Sequence, residues 1–201
     1  MADGQFEVLL VCHANLCRSP MAERLVRKAV DDRLGEDAAG FRVVSAGTHA
    51  WTNQPMHPLA AEVLREHGAD ETGFLSQRLT EGLVRRADLV LTSTRRQRSE
   101  CVAFDPSAVG RTFTIAQFGR YAAALGPYSL TAVWPPQRRL GVMIERVSVI
   151  RGNLPVAPAD EEDLADPVQS PIEAFRRCAA EIQRTVDVMI DLIAPIPTAP
   201  W

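Results

Sequence analysis

The chain has 201 residues, 46% hydrophobic and 23% charged, which suits one domain with a full core and excludes a disordered or fibrous chain. Its 22 basic and 25 acidic residues leave a net charge of -3, so no global cationic field draws nucleic acid. No apolar run approaches the ~20 residues of a membrane-spanning helix, and segment 1–7 lacks the pattern of a secretory signal, so the expected setting is cytoplasmic and away from membranes. Four cysteines, Cys12, Cys17, Cys101 and Cys178, then read as thiols and not as a disulfide framework.

Phe6 to Val11 (FEVLLV) is nearly continuous apolar sequence, the mark of a strand covered on both faces. After the polar stretch CHANLCRSP, Met21, Leu25, Val26 and Val30 recur at helical spacing. The pattern then repeats. FRVVSAG (41–47) predicts a second strand, Pro58 to Gly68 a helix ended by left-handed Gly68, and Leu79 to Arg86 a short helix. ADLVLTS (87–93) predicts a third strand, 94–104 a polar helix, RTFTI (111–115) a fourth strand and 116–125 a further helix. Gln137 to Ile150 has helical character, and Gly152 to Gln169, rich in proline and acids, reads as a long surface loop. Ser170-Pro171-Ile172-Glu173 predicts a capping box opening a last helix with Phe175, Cys178, Ile182, Val186, Met189, Ile190 and Ile193 on its apolar face. The alternation indicates an α/β fold: a single three-layer domain, four parallel strands with helices on both faces, and ligand sites at the carboxyl ends of the strands.

Cys12-His13-Ala14-Asn15-Leu16-Cys17-Arg18-Ser19 places a thiol at the end of the first strand and an arginine at the start of the first helix. Backbone N–H groups in such a loop converge on one point and form a site for a tetrahedral oxyanion. The same field favours a thiolate nucleophile at Cys12, Arg18 can grip two oxygens in its planar fork, and Ser19 Oγ can donate to the thiolate. His13, His49, His57 and His67 show no metal-ligand spacing.

The stretch CHANLCRSPMAE resembles the C-x-G-N-x-C-R-S loop of the low-molecular-weight protein tyrosine phosphatases, in their bacterial form. VVSAGTHAW (43–51), ADLVLTS (87–93) and FTIAQFGR (113–120) are similar to further segments of that family, and DLADPVQSPIEAF (163–175) matches its D-P motif. The resemblance implies a cysteine-dependent phosphatase over residues 1–201, with Cys12 as nucleophile, Arg18 as phosphate clamp and Asp166 as general acid. It implies no cofactor. His13, Ala14, Asn15, Leu16, Cys17 and Ser19 then line the phosphate loop, Ser45 supports Asn15, and Leu16 and Trp51 are candidate walls for the substrate, Trp51 reading equally as a core residue. Cys17 is placed to form a reversible disulfide with Cys12, or is a structural loop thiol. Asp160, Glu161, Glu162 and Asp163 are expected to favour protonation of Asp166 by like-charge repulsion.

Four departures accompany the likeness. Ala14 stands where the family has Gly, and alanine is harder to hold at positive φ. Thr72-Gly73-Phe74 lacks the histidine of many animal members, and Val168 and Gln169 replace the aromatics after the D-P pair. An insertion at about 121–160, a lid, a partner surface or a peripheral helix, lengthens the chain, which ends in a short proline-rich tail, 194–201. The expected substrate is a phosphorylated protein, on phosphotyrosine first, with phosphoarginine or a small phosphate ester left open, and the protein a monomer or weak dimer. A thiol-dependent arsenate reductase on the same fold and a non-catalytic phosphate-binding protein stay as alternatives; the reductase needs two further neighbouring cysteines, whereas Cys101 and Cys178 lie far apart in sequence.

Overall fold

The computed structural model describes residues 5–126, 130, 133–153, 155 and 157–194. Four strands, β1 (Phe6–Cys12), β2 (Phe41–Gly47), β3 (Leu89–Thr92) and β4 (Thr112–Thr114), form one parallel sheet in the order β2-β1-β3-β4. Along β1, side chains alternate between two apolar layers: Val8 and Leu10 enter one core, Leu9 and Val11 the other. That two-sided burial is why the strand reads as an unbroken apolar run.

The larger core is closed by α1 (Arg18–Leu34), α2 (Pro58–Glu66), α5 (Ile115–Ala123), α6 (Pro136–Ile150) and α8 (Ile172–Ile193). The smaller core holds residues of α3 (Glu81–Arg86) and α4 (Arg95–Phe104), so helices cover both faces. A four-residue helix, α7 (Ala159–Glu162), interrupts the expected loop 152–169. The capping box expected at Ser170 does not form: α8 begins after Pro171 without a side-chain cap, because the Ser170 N–H is drawn to the Pro167 carbonyl at 2.8 Å in a turn.

Consecutive strands diverge from β1, β2 to one side and β3 to the other, which opens a crevice at the carboxyl ends of β1 and β3. The helix of the insertion lies at the opposite edge. Gln137 of α6 donates to the Asp37 carbonyl below β2 (3.0 Å), and Arg151, just past α6, donates to the Val109 carbonyl below β4 (3.0 Å). Leu140, Met143, Ile144 and Val147 of α6 are buried, and the Arg139 guanidinium caps the Ile193 and Ala194 carbonyls at the end of α8. Within the insertion, α6 is thus stitched to the core below β2 and β4. The tail beyond Ala194 lies outside the described residues.

Candidate active site

Cys12 is the last residue of β1, and Cys17 the N-cap of α1, so the loop between them wraps the free amides of a helix N-terminus around one point. Cys12 Sγ accepts hydrogen bonds from the Asn15 N–H (3.2 Å) and from Ser19 Oγ (3.0 Å). Two donors on one sulfur are the arrangement that a thiolate requires.

Asn15 organises the loop. It is fully buried in left-handed geometry at φ 56°, a conformation that asparagine tolerates better than most residues. Its Nδ2 donates to Ser19 Oγ and Ser45 Oγ, both at 2.9 Å, and its Oδ1 accepts from the Gln77 N–H at 2.8 Å. Ser45 Oγ donates to Glu23 Oε2 (2.6 Å), and Arg27 holds the other Glu23 oxygen (2.9 Å). The positive φ falls on Asn15 and not on Ala14, so the expected strain at Ala14 is overturned. A glycine is needed instead at Gly47, where a Cβ would stand 2.7 Å from the Asn15 nitrogen and the His13 oxygen.

Gln77, Glu23 and Gly47 escape a reading of the sequence. The signals existed in Glu23, an acid on the inward side of α1, and in Gly47, closing an apolar strand. Gln77, which also donates to the Ser45 carbonyl at 2.8 Å, carries none.

Arg18 is buried, and its Nη2 pairs with Asp166 Oδ2 while Nη1 donates to the Leu164 carbonyl at 3.1 Å. Its Nε is buried and has no hydrogen-bond partner among the described residues. Thus the structure brings together Cys12, Arg18, Ser19 and Asp166, the last from 148 residues along the chain.

The segment around Asp166 is held by distant elements. Glu162 is buried between Gln117 Nε2 (2.8 Å) and Arg120 Nη2 (2.7 Å) of α5. Asp163 Oδ1 accepts from the Arg95 N–H at the start of α4 (2.8 Å), and the Leu164 N–H donates to the Ser93 carbonyl just past β3 (2.8 Å). Asp160 and Glu161 line a groove of about 450 Å³ between α5 and α8. Of these acids, Glu162 and Asp163 anchor the segment.

Around the mouth, the exposed His13 and His49 rings stack at 4.6 Å, and the His49 N–H donates to the His13 carbonyl (2.8 Å). Trp51, two residues on, is 83% exposed, so the core reading of it fails; Ser76 Oγ fixes its carbonyl at 2.5 Å. Leu16 is half-buried, and its carbonyl accepts from the His57 N–H at 2.8 Å. His57 Nδ1 accepts from the Leu59 N–H (3.2 Å), which makes the imidazole the cap of α2, and the ring stacks on Phe175 of α8.

Burial pushes the Cys17 thiol up to about 12, with the negative charge of Asp166 adding to it, which works against Cys17 as an attacking thiolate. Burial also raises Cys178 and Cys101 to about 12, and these two sit in the cores on opposite faces of the sheet. They form no relay pair. Among the described residues no three His, Cys, Asp or Glu side chains gather as a metal site, and no helix is long and apolar enough to cross a membrane.

Residues 7–126 match the family model described as low molecular weight phosphotyrosine protein phosphatase. The chain belongs to this family. It is 32% identical to the probable low molecular weight protein-tyrosine-phosphatase EpsP of Ralstonia solanacearum over 186 residues, 92% of this chain and 94% of that one. That alignment runs through the insertion, beyond where the family model stops. Two solved structures share the fold: the tyrosine phosphatase AmsI of Erwinia amylovora (TM-score 0.64, 21% identity, 93% of this chain and 92% of that one) and the YwlE arginine phosphatase of Geobacillus stearothermophilus (0.63, 25%, 92% and 90%). The activity of this low-molecular-weight phosphatase is therefore cysteine-based hydrolysis of a phosphorylated substrate.

Proposed function

We propose that the protein hydrolyses phosphotyrosine in proteins through a cysteinyl-phosphate on Cys12. The observation that carries the reading is the doubly hydrogen-bonded Cys12 sulfur beside a buried Arg18 that has a donor to spare. Cys12 attacks phosphorus as the ester P–O bond breaks, and Asp166 gives its proton to the departing oxygen. Arg18 exchanges Asp166 for the equatorial oxygens, which releases the carboxyl group for that transfer. Water then attacks phosphorus, the S–P bond breaks, and Asp166 takes the water's proton as inorganic phosphate leaves.

Phosphotyrosine is favoured by the walls. Leu16, the His13–His49 stack, Trp51 and Val168 offer flat and apolar surface, which suits an aryl ring. A phosphoarginine guanidinium needs acceptors of its own, and the acid at this mouth, Asp166, is committed to protonating the leaving group. The test is hydrolysis of p-nitrophenyl phosphate in EDTA, with Cys12→Ser expected to abolish turnover, followed by kcat/KM on a phosphotyrosine and a phosphoarginine peptide. Full activity of Cys12→Ser would overturn the mechanism, and preference for phosphoarginine would overturn the substrate.

A further inference from the structure

Besides Arg18 Nε, a second buried polar atom near the phosphate loop is left without a partner among the described residues. Ser93, the residue after β3, is fully buried, and its Oγ meets neither donor nor acceptor. Such a hydroxyl is disfavoured in a folded protein, so its presence calls for a cause. Two backbone bonds fix its place. The Ser93 N–H donates to the Val11 carbonyl (2.8 Å), which carries the β1–β3 ladder one residue past the Val11–Thr92 pair and sets Ser93 beside Cys12. The Ser93 carbonyl accepts from the Leu164 N–H (2.8 Å), and Leu164, itself buried, gives its own carbonyl to Arg18 Nη1 (3.1 Å). Ser93 therefore joins the strand that ends in the nucleophile to the segment that carries Asp166.

The Arg18 fork spends Nη1 on Leu164 and Nη2 on Asp166. Its nitrogens share one rigid plane, so a turn that frees Nη2 for an equatorial phosphate oxygen also draws Nη1 off the Leu164 carbonyl. That carbonyl is buried, and losing its donor without a replacement would weaken phosphate binding. We propose that Ser93 is a positioning residue: as Arg18 turns to the phosphate, Ser93 Oγ donates to the Leu164 carbonyl in its place. The donor that is idle in the free protein and the acceptor that is stranded in the phosphate complex belong to residues already joined by a backbone bond, and rotation about the Ser93 Cα–Cβ bond is the movement that pairs them. The segment stays held at Leu164 while the Asp166 carboxyl group is released. This inference rests on the exchange assigned to Arg18 under the proposed function.

The experiment sets the free protein against its phosphate complex. Ser93→Ala removes a hydroxyl that bonds nothing in the free protein, so without phosphate it is expected to melt at or above the wild-type temperature. Its dissociation constant for inorganic phosphate, read by calorimetry, is expected to rise ~5–100-fold, the cost of an unpartnered buried carbonyl. Ser93→Thr, which keeps the hydroxyl, is expected to bind phosphate more tightly than Ser93→Ala and to recover the extra melting temperature that phosphate gives the wild type. An unchanged phosphate constant in Ser93→Ala overturns the proposal. So does a lower melting temperature of Ser93→Ala without phosphate, which would mean that the hydroxyl is already bonded in the free protein, or a folded Ser93→Thr that binds phosphate as weakly as Ser93→Ala. Arg18→Gln is titrated beside them. If it loses phosphate binding while Ser93→Ala keeps it, the clamp stands and the exchange alone falls; if Arg18→Gln also binds as the wild type does, the clamp itself is wrong and the exchange falls with it.

Discussion

The loop 12–19 and the segment 162–166 meet at Arg18, yet they are built in opposite ways. The first is a local device: Cys12, Asn15 and Ser19 bond to one another within eight residues, with Ser45, Gln77 and Glu23 as an outer ring. The second has almost no internal bonding and hangs from α5 and α4 by two contacts each and from the end of β3 by one. A loop that closes on itself can present fixed donors to a charge that is always there, the phosphate. A segment that hangs from several elements can move a carboxyl group between a guanidinium and a leaving oxygen without disturbing the cradle.

The comparison is broken most severely at Asp166. Asp166→Asn is expected to lower kcat by ~10²–10⁴-fold on an ester with a poor leaving group, as general acid catalysis is worth, while p-nitrophenyl phosphate suffers less because its leaving group needs little protonation. Equal losses on both esters would deny Asp166 the role of acid. Next come two changes that separate the regions. Asn15→Ala removes the buried hub and leaves alanine in left-handed geometry, so the inhibition constant for inorganic phosphate should rise by ~10–100-fold. Glu162→Gln keeps the shape of the anchor but sets an N–H₂ group where one of the two carboxylate oxygens accepts, so one of the bonds from Gln117 and Arg120 is lost with the charge; kcat should fall by up to ~10²-fold through misplacement of Asp166, with phosphate inhibition unchanged. If Glu162→Gln weakens phosphate inhibition as much as Asn15→Ala does, the two regions are one.

The same contrast decides what the sequence discloses. Cys12, Arg18 and Ser19 share one short motif whose spacing is itself the geometry, and alternating strands and helices place it at the carboxyl edge of a parallel sheet. Asp166 is legible through its D-P setting, but its partners are not: Glu162, Asp163 and Leu164 reach Gln117, Arg95 and Arg18 over 45, 68 and 146 residues, and no local periodicity encodes such a pairing. Read locally, the acidic run therefore gives no sign that Glu162 and Asp163 are anchors. Ala14 misleads for a related reason, since the residue type points to strain there while the chain takes its left-handed turn one residue later.

A smaller effect appears on the alkaline side. Burial holds Cys17, Cys101 and Cys178 near 12 against an ordinary 9.0. Between these values the unfolded chain has released protons that the folded chain keeps, so stability falls as pH rises, by up to ~1.4 kcal/mol per pH unit for each thiol. Cys101→Ala, remote from the phosphate loop, should flatten that decline in chemical denaturation above pH 9 and leave phosphate binding as it was. An unchanged slope would show that the buried thiol contributes nothing to it.

The smallest change falls where the local loop touches the distant elements. His57 donates its N–H to Leu16, caps α2 through Nδ1 and stacks on Phe175 of α8. A cap is worth ~1 kcal/mol, which for a chain of this size is a shift of ~2–4 °C in Tm. His57→Ala should show that loss and His57→Asn should recover most of it, because asparagine supplies the same acceptor. The bond to Leu16 comes from the backbone and survives both changes, so phosphate inhibition should not move. A shift in phosphate inhibition that follows the cap would mean that the helix end, and not the loop's own network, sets the shape of the cradle, and the independence of the two regions would be lost at that point.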